Sequence, residues 1–219
     1  SADDGLMGHQ GFVGAHLPSG GAVTGPDLAL DSYKFPDNKY KLYACCHGLH
    51  PMIEALQASE AAAGVPLDDI KSFSLSTNPR WLAVCDIKRP RTGLEVKFSY
   101  NWLAGMTLRG DNTGDDRLFT DTIAGEAELG RFAERISVTG DDQLTDLQAR
   151  GEISLTDGRA IPVWFDLADP FAPEVLAEKL QRKSSTIIGE VSATIWDLHP
   201  RLGQLGARDI ASAMLAASA

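Results

Sequence analysis

Residues 151–167 carry the pattern that most restricts the fold. Apolar and polar residues alternate from Ile153 to Leu155 and again from Ile161 to Phe165, and Asp157-Gly158 lies between the two runs. Alternation with a period of two on both sides of a tight turn predicts two antiparallel strands. Ile136–Val138 predicts a third strand, so part of this chain must form a sheet.

Helical patterns lie on both sides of this region. The apolar residues from Leu49 to Leu56 have the spacing of one buried helix face, and Gly64-Val65-Pro66 ends the run. Residues 94–109 are nearly continuously apolar, which is too long for a strand and predicts a single buried helix. Further helices are predicted at residues 125–133, 174–188, 191–198 and 207–217.

Between the first two of these helices, apolar and polar residues begin to alternate in residues 70–84, and Asn78-Pro79 interrupts the alternation. This pattern predicts one or two strands. The order helix, strand, helix, strands, helices predicts an α+β fold, a small antiparallel sheet with packed helices, and differs from a regular βαβ alternation. The first forty residues have glycine pairs, prolines and little periodicity, which predicts an irregular segment.

The composition excludes several classes of protein. The formal charge of −10 has the wrong sign for a nucleic-acid-binding surface. No stretch approaches the roughly 18 to 20 apolar residues of a membrane span, and Ser1–Gly5 is acidic where a secretory signal is basic and then apolar. Three cysteines make a poor disulfide framework. We therefore expect a cytoplasmic protein that binds neither nucleic acid nor membrane.

The densest group of reactive side chains is Lys41–Pro51, which contains Cys45, Cys46, His47 and His50 just before a predicted helix. A helix start offers free backbone N–H groups, which suit a carboxylate ligand. No second pair of Cys or His residues follows at metal-ligand spacing, so we expect no metal site. A cysteine acting as nucleophile or redox sensor remains open, as does a cysteine that is only a small buried apolar side chain.

The run from Lys41 through Leu56 resembles the MmgE/PrpD pattern of lysine, aromatic, small residue, cysteine, three residues and His-Pro leading into a helix. Three more segments are similar to that family in the same order along the chain: Leu6–Phe12, Pro90–Gly110 and Ile153–Arg159. Each motif is weak alone, and the four in order cover nearly the whole chain.

The resemblance implies a subunit of two domains that acts as a homodimer without a cofactor on small polycarboxylic acids. Activities in the family include 2-methylcitrate dehydratase, cis-aconitate decarboxylase and iminodisuccinate epimerase, which are lyases or isomerases. By this resemblance, residues 1–39 are the end of the helical domain and a linker, residues 40–172 are the α+β lid domain, and residues 173–219 are C-terminal helices belonging to the helical domain.

The resemblance also implies the site residues. It gives catalytic roles to Cys46, His50 and Tyr100, and substrate contacts to Lys41, His47 and Lys97. Simpler roles stay open: a surface lysine for Lys41, helix capping for His50, a core aromatic for Tyr100 and a structural role for Lys97.

Two features depart from the family pattern. Cys46 stands where the decarboxylases have a histidine, which argues against decarboxylation. Trp102 stands where they have a tyrosine, and Tyr100 could supply a hydroxyl nearby. The larger helical domain that precedes this region in the family is absent from the sequence. We therefore expect a chain that is incomplete or inactive alone and needs that domain or a partner chain. The alternative is a non-catalytic binding or assembly module that keeps the lid fold.

Overall fold

The computed structural model describes the backbone of residues 39–217 and the side chains of residues 39–215. The predicted irregular segment, apart from its last two residues, and the motif Leu6–Phe12 lie outside the described residues. The chain from Lys41 onward clusters into one compact unit. The elements described below belong to that unit, and the predicted boundary at residue 173 stays a prediction.

The strands and helices follow in chain order. They are α1 (His50–Ala58), β1 (Ile70–Thr77), α2 (Pro79–Cys85), α3 (Gly93–Val96), α4 (Tyr100–Arg109), α5 (Asp121–Ala124), α6 (Ala127–Ala133), β2 (Ile136–Gly140), β3 (Gln148–Leu155), β4 (Ala160–Asp166), α7 (Pro173–Ile188), α8 (Val191–Trp196) and α9 (Ala207–Ala217). Short 3-10 turns occur at His47–Leu49, Leu67–Asp69, Asp116–Leu118 and His199–Gln204. The α+β class predicted from the sequence is confirmed.

The four strands form one sheet in the order β2-β1-β3-β4. The hairpin β3–β4 is antiparallel, with Ile153 opposite Ile161, and β1 pairs antiparallel with β3. The predicted hairpin and the predicted third strand are confirmed. The sheet is mixed, however, because β2 pairs parallel with β1 through Phe73 and Ile136. Five intervening helices, α2 to α6, carry the chain back to the start of β1, which makes this parallel pairing possible.

The prediction of strands in residues 70–84 is wrong for the second half of this segment. The strand ends at Thr77, and residues 79–85 form α2. The Asn78 side chain accepts a hydrogen bond from the Arg80 backbone N–H at 3.1 Å, and Pro79 occupies the first turn of the helix. Asparagine at the N-cap followed by proline is a favourable helix start, and it overrides the alternating pattern that follows.

The single helix predicted at residues 94–109 is divided into α3 and α4. Ser99 has extended backbone angles, and its hydroxyl accepts a hydrogen bond from the Trp102 backbone N–H at 3.3 Å, so it caps a new helix. Gly110, with a φ of 85°, ends α4 in the left-handed conformation that glycine adopts without a steric penalty. The break places the Lys97–Ser99 turn beside the reactive segment.

The core lies between the sheet and a layer formed by α1, α4 and α6. Met52 and Ile53 of α1 are fully buried, as are Phe73 of β1, Leu103 of α4 and Phe132 of α6. This arrangement fixes the start of α1 rigidly against α4 and the sheet. The reactive segment that precedes α1 is therefore held in a defined position.

Candidate active site

The segment before α1 is tied to two other parts of the chain by backbone hydrogen bonds. The Ala44 N–H donates to the Thr113 carbonyl at 2.8 Å, and the Cys46 N–H donates to the Lys97 carbonyl at 3.0 Å. The chain then makes the 3-10 turn His47–Leu49 and enters α1 with Pro51 in its first turn. These contacts bring the segment containing Cys46 next to the Lys97 turn, as the site prediction requires.

The two histidines of this segment lie together. The ring centroids of His47 and His50 are 4.7 Å apart, and the Tyr43 ring packs edge-on against His50 at 5.0 Å. His50 is 1% exposed, and its Nε2 has no hydrogen-bond partner among residues 39–215. Burial is the main reason that the pKa of His50 falls from 6.5 to about 3, and His47, Lys183 and Lys41 lower it further. His50 is therefore a neutral imidazole near pH 7.

The three thiols occupy different environments. Cys46 is half-buried, while Cys45 and Cys85 are buried. Burial raises the pKa of the Cys45 thiol to about 12. The pKa of Cys85 is also raised, first by burial and then by an interaction with the neighbouring Cys46 side chain. Cys46 is therefore the thiol of this group that a small molecule can reach.

Three lysines from separate parts of the chain converge on this segment. The charges of Lys41, Lys183 and Lys97 each lower the pKa of the Cys45 thiol, in opposition to burial. Lys97 also lies with its Nζ 5.1 Å from the ring centroid of Phe119. The Nζ of Lys183, on α7, donates a hydrogen bond to the Lys41 carbonyl. The result is a cluster of positive charge beside Cys46 and His50.

Lys183 was missed in the sequence-based prediction of the site. It follows Lys179 by one helical turn, and both lie on the partly buried side of α7 together with Leu180. Lysines that share a helix face with an apolar residue are a signal that the face packs against something. The sequence does not say against what, and the contact with Lys41 comes from the fold.

Tyr100 lies in the core beneath the segment. It is fully buried, its hydroxyl donates to the Gly48 carbonyl at 2.9 Å, and the same oxygen lies 3.0 Å from the Thr77 hydroxyl. Burial raises its pKa above the ordinary value. In this arrangement the hydroxyl holds the 3-10 turn of the reactive segment in place.

Within residues 39–215 no group of three or more His, Cys, Asp or Glu side chains is arranged to hold a metal ion. None of the helices within the described range combines the length and the hydrophobicity that a bilayer span requires.

Comparison with protein families decides where the chain belongs. The model of the MmgE/PrpD C-terminal domain matches residues 43–198. The chain belongs to the MmgE/PrpD family. A search of curated proteins returned no match. The family match contains five of the six predicted site residues and Lys183, whereas Lys41 lies two residues before it.

One departure of this MmgE/PrpD chain from the family pattern, at Trp102, lies in the core. Trp102, which the sequence resemblance places at the position of the decarboxylase tyrosine, is 5% exposed, and its Nε1 donates to the Ile123 carbonyl at 3.0 Å. Its only polar atom is thus used within the core. The site contains a reachable thiol, two histidine rings in contact and three nearby lysines. Such a set can bind an anionic substrate and move a proton.

Proposed function

We propose that the chain is the C-terminal part of a cofactor-independent MmgE/PrpD-type enzyme, a lyase or isomerase that abstracts a proton from a small polycarboxylic acid. The observation that carries the proposal is the convergence of Lys41, Lys97 and Lys183 on the segment containing Cys46 and His50. In a chain with a formal charge of −10, a local cluster of three lysines is a positive region that attracts an anionic ligand.

The lysines suit the chemistry that such a substrate requires. Removing a proton from a carbon beside a carboxylate builds negative charge on a molecule that is already anionic. Ammonium groups placed before the reaction neutralise that charge as it develops. The carbanion then either expels a group from the neighbouring carbon, which makes a double bond, or takes a proton back on its other face. The first outcome is a lyase reaction and the second is an epimerisation.

The exposure of the three predicted catalytic residues suggests different roles for them. Cys46 has accessible surface, so we assign it the contact with the reacting proton, which its thiolate form accepts to become the thiol. His50 and Tyr100 are buried and are assigned to positioning: His50 packs against His47, and Tyr100 holds the Gly48 carbonyl. His47, Lys41 and Lys97 then contact the substrate carboxylates.

The helical domain that the family places before this region supplies the remaining acids and bases in the proposal, as part of the same protein or as a partner chain. We further propose the homodimer and the cytoplasmic location that the family resemblance implies. This half of the site alone is expected to bind a polycarboxylate and to turn it over slowly or not at all.

Two measurements test the proposal. Isothermal titration with citrate should give a dissociation constant that Lys97→Gln weakens by about tenfold, which is the size expected for one charged hydrogen bond. The matched control is Lys71→Gln, which removes an exposed lysine from β1. Equal citrate affinity in the two variants would sink the assignment of this site.

The proposed reaction is tested by measuring the exchange of substrate protons for deuterium. Incubation of the substrate candidates 2-methylcitrate and iminodisuccinate in D2O, followed by proton NMR, detects proton abstraction without a completed reaction. We expect faster exchange when the helical domain is supplied, and loss of exchange in Cys46→Ser but not in Cys45→Ser. Exchange that persists in Cys46→Ser rules out the thiol as the proton acceptor.

A second candidate function is the non-catalytic assembly module, and a specific surface favours it. Large apolar side chains are exposed on the C-terminal helices: Val175, Ile187, Ile188, Leu202, Met214 and Leu215. Exposed apolar groups at this density mark a docking face. An assembly module binds a hydrophobic dye there, loses that binding on assembly, and shows neither citrate binding nor hydrogen exchange.

A further inference from the structure

A cavity of about 670 Å3 lies between α7 and the chain around the end of α4. Its volume is within the usual range for small-molecule sites, roughly 300–1,000 Å3. Cys46, His47 and His50 are not among the residues that line it, although it shares Tyr43 and Lys183 with the candidate active site. The cavity needs its own explanation.

The floor of the cavity is apolar. Leu42, Leu56 and Leu108 line it from the body of the fold, and each is less than a tenth exposed. Val175 of α7 lines the opposite wall and is 43% exposed. Because the leucines are already almost fully buried, the apolar surface removed from water on binding belongs mainly to Val175 and to the ligand, at about 25 cal/mol for each Å2.

Some of the charges around the cavity are already neutralised. Lys179 pairs with the buried Glu54 at 2.8 Å. Asp111 pairs with Arg109 at 2.6 Å. These pairs leave Glu178, Arg182 and Lys183 as the remaining charged residues that line the cavity, with a net charge of +1.

Arg182 is exposed and has no ionic partner within the part of the chain that the structure describes. No carboxylate of residues 39–215 lies within ion-pair distance of its guanidinium, while its charge lowers the pKa of the Tyr43 hydroxyl against the opposing effect of burial. Lys183 is partly buried, and that burial lowers its pKa. Both cations border a cavity with an apolar floor, where a bound anion interacts more strongly than in open water.

We propose that this cavity binds a small monocarboxylate with an apolar body, the carboxylate at Arg182 and Lys183 and the apolar body over Leu42, Leu56 and Leu108. Arginine suits a carboxylate because its planar guanidinium offers two parallel N–H donors. The apolar floor and the single net positive charge distinguish this ligand class from the polycarboxylates proposed for the active site. The inference does not depend on the proposed reaction.

The test uses octanoate as the probe. It is titrated into the 219-residue chain, and binding is measured from chemical-shift changes of the backbone amides in NMR spectra. We expect shifts at residues 107–114 and 178–183. Arg182→Gln should weaken octanoate binding by about tenfold or more, the effect of losing a charged hydrogen bond. Octanamide, which has the same chain without the charge, should bind the wild-type protein more weakly and be indifferent to Arg182→Gln.

The control variant is Arg201→Gln, which removes the same charge from an exposed position that lines no cavity described here. A second variant, Ala63→Trp, fills the cavity from an exposed position in its wall and should abolish binding. Arg182 makes no side-chain hydrogen bond within the described part of the chain, so its variant should keep the wild-type melting temperature.

Equal octanoate affinity in Arg182→Gln and wild type overturns the proposal. Equal losses in Arg182→Gln and Arg201→Gln, or shifts confined to α8 and α9, overturn it as well, since they indicate general charge attraction or an apolar surface patch. Failure of the proposed polycarboxylate site is detected with citrate and Lys97→Gln, and failure of the proposed reaction by hydrogen exchange. Neither result affects the octanoate test.

Discussion

Lowering the pH should destabilise the protein through His50. The imidazole is 1% exposed and packed between His47 and Tyr43, which disfavours the charged form. Its pKa falls from 6.5 to about 3 on folding, so the unfolded chain binds a proton at a pH at which the folded protein does not. Stability that is present above pH 6.5 is therefore lost as the pH falls from 6.5 toward 3.

The size of the effect follows from the difference in pKa. At pH 5, about 1.5 pH units below the ordinary value, the loss is about 2 kcal/mol, at about 1.4 kcal/mol per pH unit. A loss of that size is a sizeable part of the roughly 5–15 kcal/mol that stabilises a typical domain. Below pH 5 the carboxylates begin to titrate, so the range from pH 7 to pH 5 is the informative one.

The assay is urea unfolding at several pH values in that range, with wild type compared with His50→Gln and with His199→Gln, in which an exposed histidine is replaced. Between pH 7 and pH 5 the free energy of unfolding of wild type should fall by about 2 kcal/mol more than that of His50→Gln, whereas His199→Gln should follow wild type. Parallel curves for wild type and His50→Gln would refute the reasoning, because they would mean that His50 takes up its proton equally well in the folded state.

Three further outcomes are expected. Gly48→Ala should lower the free energy of unfolding in urea by about 2 kcal/mol or more, because its Cβ would lie 2.3 Å from an indole carbon of Trp81 on α2. The Cβ of Gly130→Ala would meet nothing within 4 Å, so this variant should stabilise α6 by up to about 1 kcal/mol. Lys179→Met should cost about 3 kcal/mol in the same assay, because it leaves Glu54 buried without its counterion. Iodoacetamide followed by mass spectrometry should modify Cys46 first, because the other two thiols are buried with raised pKa values.

Each of these has a control within the chain. Arg89→Met removes one partner of an exposed ion pair with Glu134 and should change the free energy of unfolding by less than about 1 kcal/mol, so a similar cost for Lys179→Met would contradict the argument from burial. Slow and uniform alkylation of all three cysteines would rule out a thiol-based sensor. It would also weaken the assignment of Cys46 to the reacting proton.

Local patterns in the sequence were enough to predict most of the elements. The hairpin around Asp157-Gly158, the helix that starts at His50 and the C-terminal helices all follow from periodicity and turn residues, which act over a few positions. The errors arose at caps: Asn78 and Ser99 each begin a helix in the middle of a run whose apolar pattern predicts something else. A single side-chain hydrogen bond to the backbone decides such positions, and apolar periodicity does not detect it.

The family and the reactive segment were likewise recognised from the sequence, because a motif is a short run of residues with fixed spacing. The sequence alone determined the α+β class, the hairpin and the family, and it predicts the residues from Lys41 to His50 as the place for chemistry. Only the tertiary structure placed Lys183, 142 positions from Lys41, at that segment, and only it buried Tyr100 and His50 while leaving Cys46 accessible. Which side chains meet depends on how helices and strands pack, and packing is set by the shape of the whole core and not by any local run of residues.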